Sequence, residues 1–553
     1  MSLSIDNILA QPDFQFRIPA LDTAYEFLEY YARNTPEIDA IIFQNQRVSY
    51  RNLKENVDSL ARSLMAVGIK PGDRVATLSA PHPDCSRILL ASLSIGAIWV
   101  GLNPRYQLSE MLHVITDSQP SILFSCSRID KRVFDLEIKE LQESPVDFET
   151  VTVGDQQLLP NSVSIGEFRR GGITISDEDL QRRRRLITGD DACMIVYTSG
   201  TTGAPKGALL KQSASVRQGK LTLSKFKPNP LRVINYYPVN HVAGVVANTL
   251  YTLVGGGTNV LIEKFSPAET LATIERERIT QWGAIPTMFK LCINDPGFLT
   301  SDLSSVQLIN WGGSAASRDM IELFAGRFPY LSTLMAMTET TGGITQITPC
   351  KDIDLLSSSV GQPMPDCELR LTDELGSEVA NGNVGEIQVR GPFLMLEYWN
   401  NPVATADTFT EDGWLKTGDL AKQDSQGNLY VVGRNKEMYK SGGFNIYPRE
   451  VEQALESIES IDLVAVVSVP DPLYDEVGHA FISLKTNAVD ISENTIRAHA
   501  GRNLANYKVP KVFHIVDELP LLPNGKINKK LLAQRAKNSL GELSVSDSLP
   551  TTK

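Results

Sequence analysis

Short apolar runs alternate with longer stretches whose apolar positions recur at helical spacing, and this alternation sets the fold expectation. "DRVATLSA" is followed by "PDCSRILLASLSIGA", and "TNVLIEKF" by "PAETLATIERERI". A strand-like run leading into a helical pattern is the repeating unit of a parallel sheet. The predicted class is α/β, with largely parallel sheets. The uncharged run "ILLASLSIGAIWVGLNP" (88–104) is shorter than the ~20 residues of a membrane span and ends in Asn-Pro. It reads as a buried helix running into a core strand, and no transmembrane segment is expected.

The texture changes at "YVVGRNKEMYKSGGFNIYPREVEQAL" (430–455). A β-run ends at Gly433-Arg434, a charged Asn-Lys-Glu and a glycine-rich loop follow, and a helix is expected from near Pro448. The expected organisation is a large N-terminal domain (1–433) built of α/β subdomains, a hinge (434–437), a small mobile C-terminal α/β domain (438–538) and a loose polar tail (539–553). The basic block 182–185 in "QRRRRLITGDD" is flanked by acidic residues and reads as a solvated loop.

At 553 residues the chain exceeds one ordinary core. Its formal net charge of −12 argues against nonspecific binding to nucleic acid or an anionic membrane. The six cysteines (85, 126, 193, 292, 350 and 367) form no C-x-x-C pair, and the six histidines are dispersed. That pattern offers neither a zinc cluster nor a disulfide framework and fits reduced thiols in a cytoplasmic enzyme. No stretch at the start has the charged and apolar regions of a signal peptide.

Candidate chemistry starts at "IVYTSGTTGAPKGALL" (195–210). Hydroxyls, open backbone N–H groups and the mobile charge of Lys206, placed after an apolar strand, suit a phosphate. A Walker A loop is excluded, because Pro205 stands where its second glycine belongs and Gly207 follows the lysine. Four further segments share this logic. "NWGGSAAS" (310–317) turns through glycines that admit a flat group, and "MAMTETTGG" (335–343) sets the Thr338 hydroxyl beside Glu339, a carboxylate suited to magnesium. "WLKTGDLA" (414–421) presents Asp419 for a pair of sugar hydroxyls, and "LPNGKINKK" (522–530) carries Lys526 behind a turn.

Together, in this order, these motifs resemble the adenylate-forming superfamily, which contains acyl- and aryl-CoA synthetases, peptide-synthetase adenylation domains and firefly luciferase. The likeness runs from about 23 to 537 and is strongest to acyl- or aryl-CoA ligases. It implies that Thr198, Ser199, Gly200, Thr201, Thr202, Gly203 and Lys206 handle the β- and γ-phosphates of ATP. Gly312, Gly313 and Ser314 would line the adenine and acyl pocket, Thr338 would meet the α-phosphate, and Glu339 would hold Mg²⁺. Asp419 and Arg434 would bind the ribose, with Lys436 at the hinge. Lys526 would reach the substrate carboxylate and the bridging oxygens. Rotation of the small domain would withdraw Lys526 and bring in Ser441, Gly442 and Gly443, with Lys440 assisting at the thiol channel.

The implied reaction joins a fatty or aromatic carboxylic acid to AMP, releases pyrophosphate and passes the acyl group to coenzyme A. Charge gathers on the α-phosphate, and Lys526, Mg²⁺ and the loop donors would offset it. Amino-acid-activating relatives carry an Asp near "YPVNHVAG"; here none occurs between Tyr236 and Asn248, so an acid without an amine is expected. His241 matches a gate to the pantetheine channel, or else a structural histidine in the core, and Val242 would line the acyl pocket. Three positions depart from the family. Met335-Ala336 replace Tyr-Gly, Asp475 replaces a glycine, and Trp311 replaces a small residue, either entering the acyl pocket or packing away from it. Two alternatives stay open: an acyl-AMP ligase that loads a carrier protein, and a silent nucleotide- or acyl-binding protein. A homodimer is left open.

Overall fold

The computed structural model describes residues 17–154, 157–198, 205–442, 444–485, 488, 491–522 and 526–546, of which 445 and 539–546 are described by backbone alone. The expectations for Ser199, Gly200, Thr201, Thr202, Gly203 and Gly443 lie outside the described residues. Packing divides the chain into two compact units. One comprises residues up to Glu368 with Val389–Leu415, and the other Leu369–Gln388 with the chain from Lys416 onward.

Two large sheets build the first unit. In the nine-stranded sheet, Asp39–Phe43, Thr258–Leu261, Arg232–Asn235, Gln281–Ala284, Leu308–Gly312 and Tyr330–Met337 run parallel in that spatial order, with antiparallel strands at both ends. In the eight-stranded sheet, Ala192–Thr198, Ile98–Leu102, Arg74–Leu78, Ile122–Ser125, Glu149–Thr152 and Ser162–Ser164 run parallel. Lys206–Lys211 and Glu397–Tyr398 close one edge antiparallel.

The period of a strand explains the layering. Along Arg74–Leu78, Val75 joins a core shared with Ile41 and Val233 of the other sheet, whereas Ala76 and Leu78 face a separate core on the outer side. Helices fill the shared layer. Pro83–Ser94 is buried on every side, starts at the His82 cap with proline in its first turn, and leads into the fully buried strand Ile98–Leu102. The uncharged run is thus core, and no helix among the described residues is long and apolar enough to cross a membrane.

The basic block departs from expectation. Arg182, Arg183 and Arg184 form the last turn of the helix Asp177–Arg184, Arg185 caps it, and Arg184 is buried. Leu180 and Arg184 share a face four residues apart. The Arg184 guanidinium stacks 3.7 Å from the Tyr25 ring centroid and pairs with Asp58 at 2.9 Å, so a matched anion and an aromatic face offset its desolvation.

The second unit holds a four-stranded sheet (Glu368–Thr372, Gly385–Arg390, Leu415–Gln423, Leu429–Arg434) and a five-stranded sheet. The latter is centred on the pair Ile461–Asp471 and Asp475–Leu484 and flanked by the helices Pro448–Glu456 and Glu493–Asn503. Between the two sheets in sequence, Asn435–Glu437 forms a single 3-10 turn that carries Lys436. Asp475 sits at φ +67°, the left-handed conformation a glycine adopts without penalty, which gives a physical reason for the family's glycine there.

Candidate active site

The carboxyl ends of adjacent parallel strands are where loops converge on ligands in α/β sheets. In the first unit, Leu308–Gly312 pairs with Tyr330–Met337 through Gly312 and Leu334, so Gly312-Gly313-Ser314 and Thr338-Glu339 leave the same edge of the sheet. Gly313 turns at φ +84°, a Cβ on Gly312 would lie 3.2 Å from the Leu334 carbonyl, and Ser314 is exposed. Thr338 is buried in the turn between Tyr330–Met337 and Gly342–Gln346, and Glu339 is half-buried beside it.

Trp311 packs away from that edge. It alternates with Asn310 and Gly312, and so shares the other face of the sheet with Ile309. At 2 % exposure it belongs to the core built with Met320, Ile321, Phe324 and Phe328. Its expected place in an acyl pocket is corrected to core.

On the second sheet, the buried strand Ala192–Thr198 leads into 199–204, and the chain returns along Lys206–Lys211 with Thr198 paired to Lys206. This pairing sets Lys206 directly across from Thr198. The Lys206 ammonium lies 5.2 Å from the Tyr398 ring centroid, and the Tyr398 hydroxyl donates to Glu339 Oε1 at 2.7 Å. Burial and the Glu339 carboxylate push the Tyr398 phenol far above its usual range. Sequence reasoning missed Tyr398, which lies well outside every quoted motif.

His241 is exposed and caps the short helix Val242–Gly244, its Nδ1 accepting from the Ala243 N–H at 3.1 Å. With Nδ1 so engaged, the neutral ring carries its proton on Nε2. It is therefore a surface cap and not a core histidine, while Val242 is buried. The chain continues as a π-helix, Val245–Leu250. Such wide turns concentrate at functional sites. Asn248 and Thr249 side chains donate to the carbonyls of Ala243 and Gly244 at 2.7 and 2.9 Å, which satisfies groups near the widened turn.

Buried groups brace the "TTGG" turn. Gln218 Oε1 accepts from the Gly343 N–H at 3.0 Å, and Arg217 donates to the Gly343 carbonyl at 2.6 Å while pairing with buried Asp366. A side chain at Gly342, where φ is +123°, would collide with Gln218 Oε1. None of these braces is visible as a motif, because their members lie more than a hundred residues apart.

In the second unit, Asp419 and Arg434 face each other across an antiparallel pair, and Arg434 Nε lies 2.9 Å from Asp419 Oδ1. Gly418 turns at φ +71° and donates its N–H to Glu386 Oε1 at 3.0 Å, while the Thr417 hydroxyl accepts from the Asp419 N–H. Burial raises the Asp419 pKa, opposed by Arg434 and Lys526. Lys526 is exposed by surface area, yet the surrounding protein and then Arg434 hold its ammonium below the ordinary lysine range, opposed by Asp419 and Glu437. Segments far apart in sequence thus bring Asp419, Arg434, Glu437 and Lys526 within electrostatic reach of one another.

Lys529 reinforces this cluster with ion pairs of 2.8 Å to both Glu437 and Glu452. Lys436 and Lys440 are exposed, Ser441 pairs with Phe444, and Gly442 has φ +56°.

The AMP-binding enzyme family matches residues 28–399, and the AMP-binding enzyme C-terminal domain matches 450–526. A feruloyl-CoA synthase from Amycolatopsis sp. is 33 % identical, with 91 % of this chain and 97 % of that protein covered. An indoleacetate–CoA ligase from Aromatoleum aromaticum is 33 % identical over 91 % of this chain and 96 % of its own. The crystal structure of ATP-bound MatB from Rhodopseudomonas palustris superposes with a TM-score of 0.81 at 27 % identity, covering 93 % of this chain and 99 % of that one. The chain therefore belongs to the AMP-binding, adenylate-forming enzymes, and within them to the AMP-forming acid–CoA ligases.

Proposed function

We propose that this ligase activates a hydrophobic acid in which a short chain separates the carboxyl group from a ring. Feruloyl and indoleacetate, named for two relatives, share that plan. The acid's carboxylate attacks the α-phosphorus of ATP and pyrophosphate leaves. The sulfur of coenzyme A then attacks the acyl carbon, AMP leaves, and the thiol proton is released.

The observation that carries the reading is the cluster in the second unit. Asp419, held by Arg434, accepts from two ribose hydroxyls, and the nearby Lys526 offsets charge at the α-phosphate. Thr198 and Lys206, with Ser199, Gly200, Thr201, Thr202 and Gly203, take the β- and γ-phosphates. Gly312, Gly313 and Ser314 leave room for adenine, with Met335 in place of the usual ring. Thr338 donates to the α-phosphate. Lys436 serves as hinge, and His241 Nε2–H and Lys440 face the incoming thiol.

Magnesium commonly takes one or two protein carboxylates and completes its octahedron with water and phosphate oxygens. Glu339, with one oxygen engaged by Tyr398, is such a donor. Among the described residues no group of three or more His, Cys, Asp or Glu forms a full protein cage. This donor set fits a cation that arrives with ATP, and Mg²⁺ there would neutralise the β- and γ-phosphate oxygens. The six free cysteines suit a cytoplasmic setting. A homodimer is not required, since one chain supplies every residue named.

The test is pyrophosphate release with ATP and Mg²⁺ across arylacetic, arylacrylic, straight-chain and amino acids, with and without coenzyme A. The expected result is highest kcat/KM for the ring-bearing acids, with the matching acyl-CoA as product. Preference for straight chains overturns the substrate assignment.

A further inference from the structure

One side chain touches both the cation and the anion assigned to the ATP side of the site. The strand Glu397–Tyr398 pairs with Lys206–Lys211, placing Tyr398 opposite Ala208. Its neighbours are stitched to the same two segments. The Met395 N–H donates to the Glu339 carbonyl at 2.8 Å, and the Trp399 N–H to the Gly207 carbonyl at 2.7 Å. The ring is only 7 % exposed, so it has little freedom to move. Its hydroxyl holds Glu339 Oε1 at 2.7 Å, and its face carries the Lys206 ammonium at 5.2 Å from the centroid.

This arrangement has two consequences. With Oε1 accepting from Tyr398, Glu339 keeps the acceptor capacity of Oε2, and the bond restricts its rotamer. The one side chain also contacts two groups of opposite charge, and an ammonium and a carboxylate this near a common side chain would gain by direct contact. We propose that Tyr398 is a positioning residue that keeps Lys206 and Glu339 apart and aimed, the ammonium at the phosphates and the carboxylate at the metal. The inference rests on the roles given above to Lys206 and Glu339. It assigns Tyr398 no contact with substrate.

The experiment is titration of Mn²⁺ by electron paramagnetic resonance into the full chain with an ATP analogue whose α,β-bridge is methylene. Tyr398→Phe keeps the ring and removes the hydroxyl, and the expected outcome is Mn²⁺ binding weakened by about 10-fold or more, the range for groups that orient a metal ligand. Metal-free binding of the analogue stays at the wild-type level in Tyr398→Phe. It falls in Tyr398→Leu, where Lys206 closes onto Glu339. Conversion of preformed acyl-AMP and coenzyme A to acyl-CoA is unchanged in Tyr398→Phe, which a merely unfolded variant would not manage. Tyr398→His retains a ring N–H and recovers part of the Mn²⁺ affinity. Wild-type Mn²⁺ affinity in Tyr398→Phe, or equal loss in the Phe and His variants, overturns the proposal. Glu339→Gln separates the two levels. If it weakens Mn²⁺ binding while Tyr398→Phe does not, only the role of Tyr398 fails; if it too binds like wild type, the metal assignment of Glu339 falls.

Discussion

Trp311→Ala distinguishes a pocket wall from a core anchor. The indole is 2 % exposed within a cluster that includes Ile309, Met320, Phe324 and Phe328. A buried tryptophan removes roughly 200 Å² from water, worth about 5 kcal/mol at ~25 cal/mol per Å². Alanine retains a fraction of that, and partial collapse of the cavity recovers a little more. The expected loss is about 3–5 kcal/mol, the range for large aromatic truncations. It falls on the first unit alone, since every residue of the cluster belongs there. The assay is urea unfolding followed by circular dichroism, with the two units treated as separate transitions. The first-unit transition moves to lower urea with its slope unchanged, and at temperatures where the variant stays folded the ranking of acids by kcat/KM matches wild type. A variant with wild-type stability that accepts bulkier acids would place the indole in the acyl pocket and refute the packing argument.

Lys526→Ala slows acyl-AMP formation by about 100- to 1000-fold, the range for loss of one preorganised charge-stabilising donor, and leaves turnover of preformed acyl-AMP with coenzyme A within a few-fold of wild type; equal loss in both half-reactions removes its assignment to the α-phosphate. His479 is nearly inaccessible, and burial, then His514 at 3.1 Å, lower its pKa to about 4. A histidine whose folded pKa is depressed stabilises the fold above its unfolded value of about 6.5, and that contribution is lost as pH falls from there toward 4, up to roughly 2–3 kcal/mol for the second unit. Urea midpoints measured from pH 7 to 4.5 follow this loss, and His479→Gln flattens it; an unaltered pH profile in the variant assigns the acid sensitivity elsewhere. Asp475→Gly relieves a left-handed backbone and raises the second unit's stability by about 0.5–1 kcal/mol, read from the same urea transitions.

The fold class was legible because its signal is periodic. Each run such as "DRVATLSA" carries its own strand pattern, and the helix after it carries its own amphipathic pattern, so the alternation survives without knowledge of partners. Candidate residues in glycine turns stood out for a related reason. A turn at Gly313 or Gly418 needs a residue that tolerates positive φ, and that need leaves a local trace beside the chemistry it serves. Arg184 was misread, and Trp311 was left with two placements, because orientation is not local. Whether an indole at a strand end faces the ligand edge or the helix layer depends on the register of neighbouring strands. Whether an arginine in a basic run is solvated depends on whether Asp58 and Tyr25, more than a hundred residues away, meet it.

The residues that hold the site together share this invisibility. Lys529 reaches Glu437 and Glu452 across separate elements, and Tyr398 meets Glu339 from a strand of two residues. Each is an ordinary residue in an ordinary stretch, set apart only by contacts of about 3 Å with residues distant in sequence. Groups that touch ligand are set by chemistry and recur with their turns. Groups that aim them are set by geometry, and another donor at another position can do the same work wherever the backbone brings it near. Of the two, the aiming groups are the more informative about this chain, because a motif shared across acid–CoA ligases cannot say how firmly Glu339 or Lys206 is held here, whereas the Tyr398 contacts can.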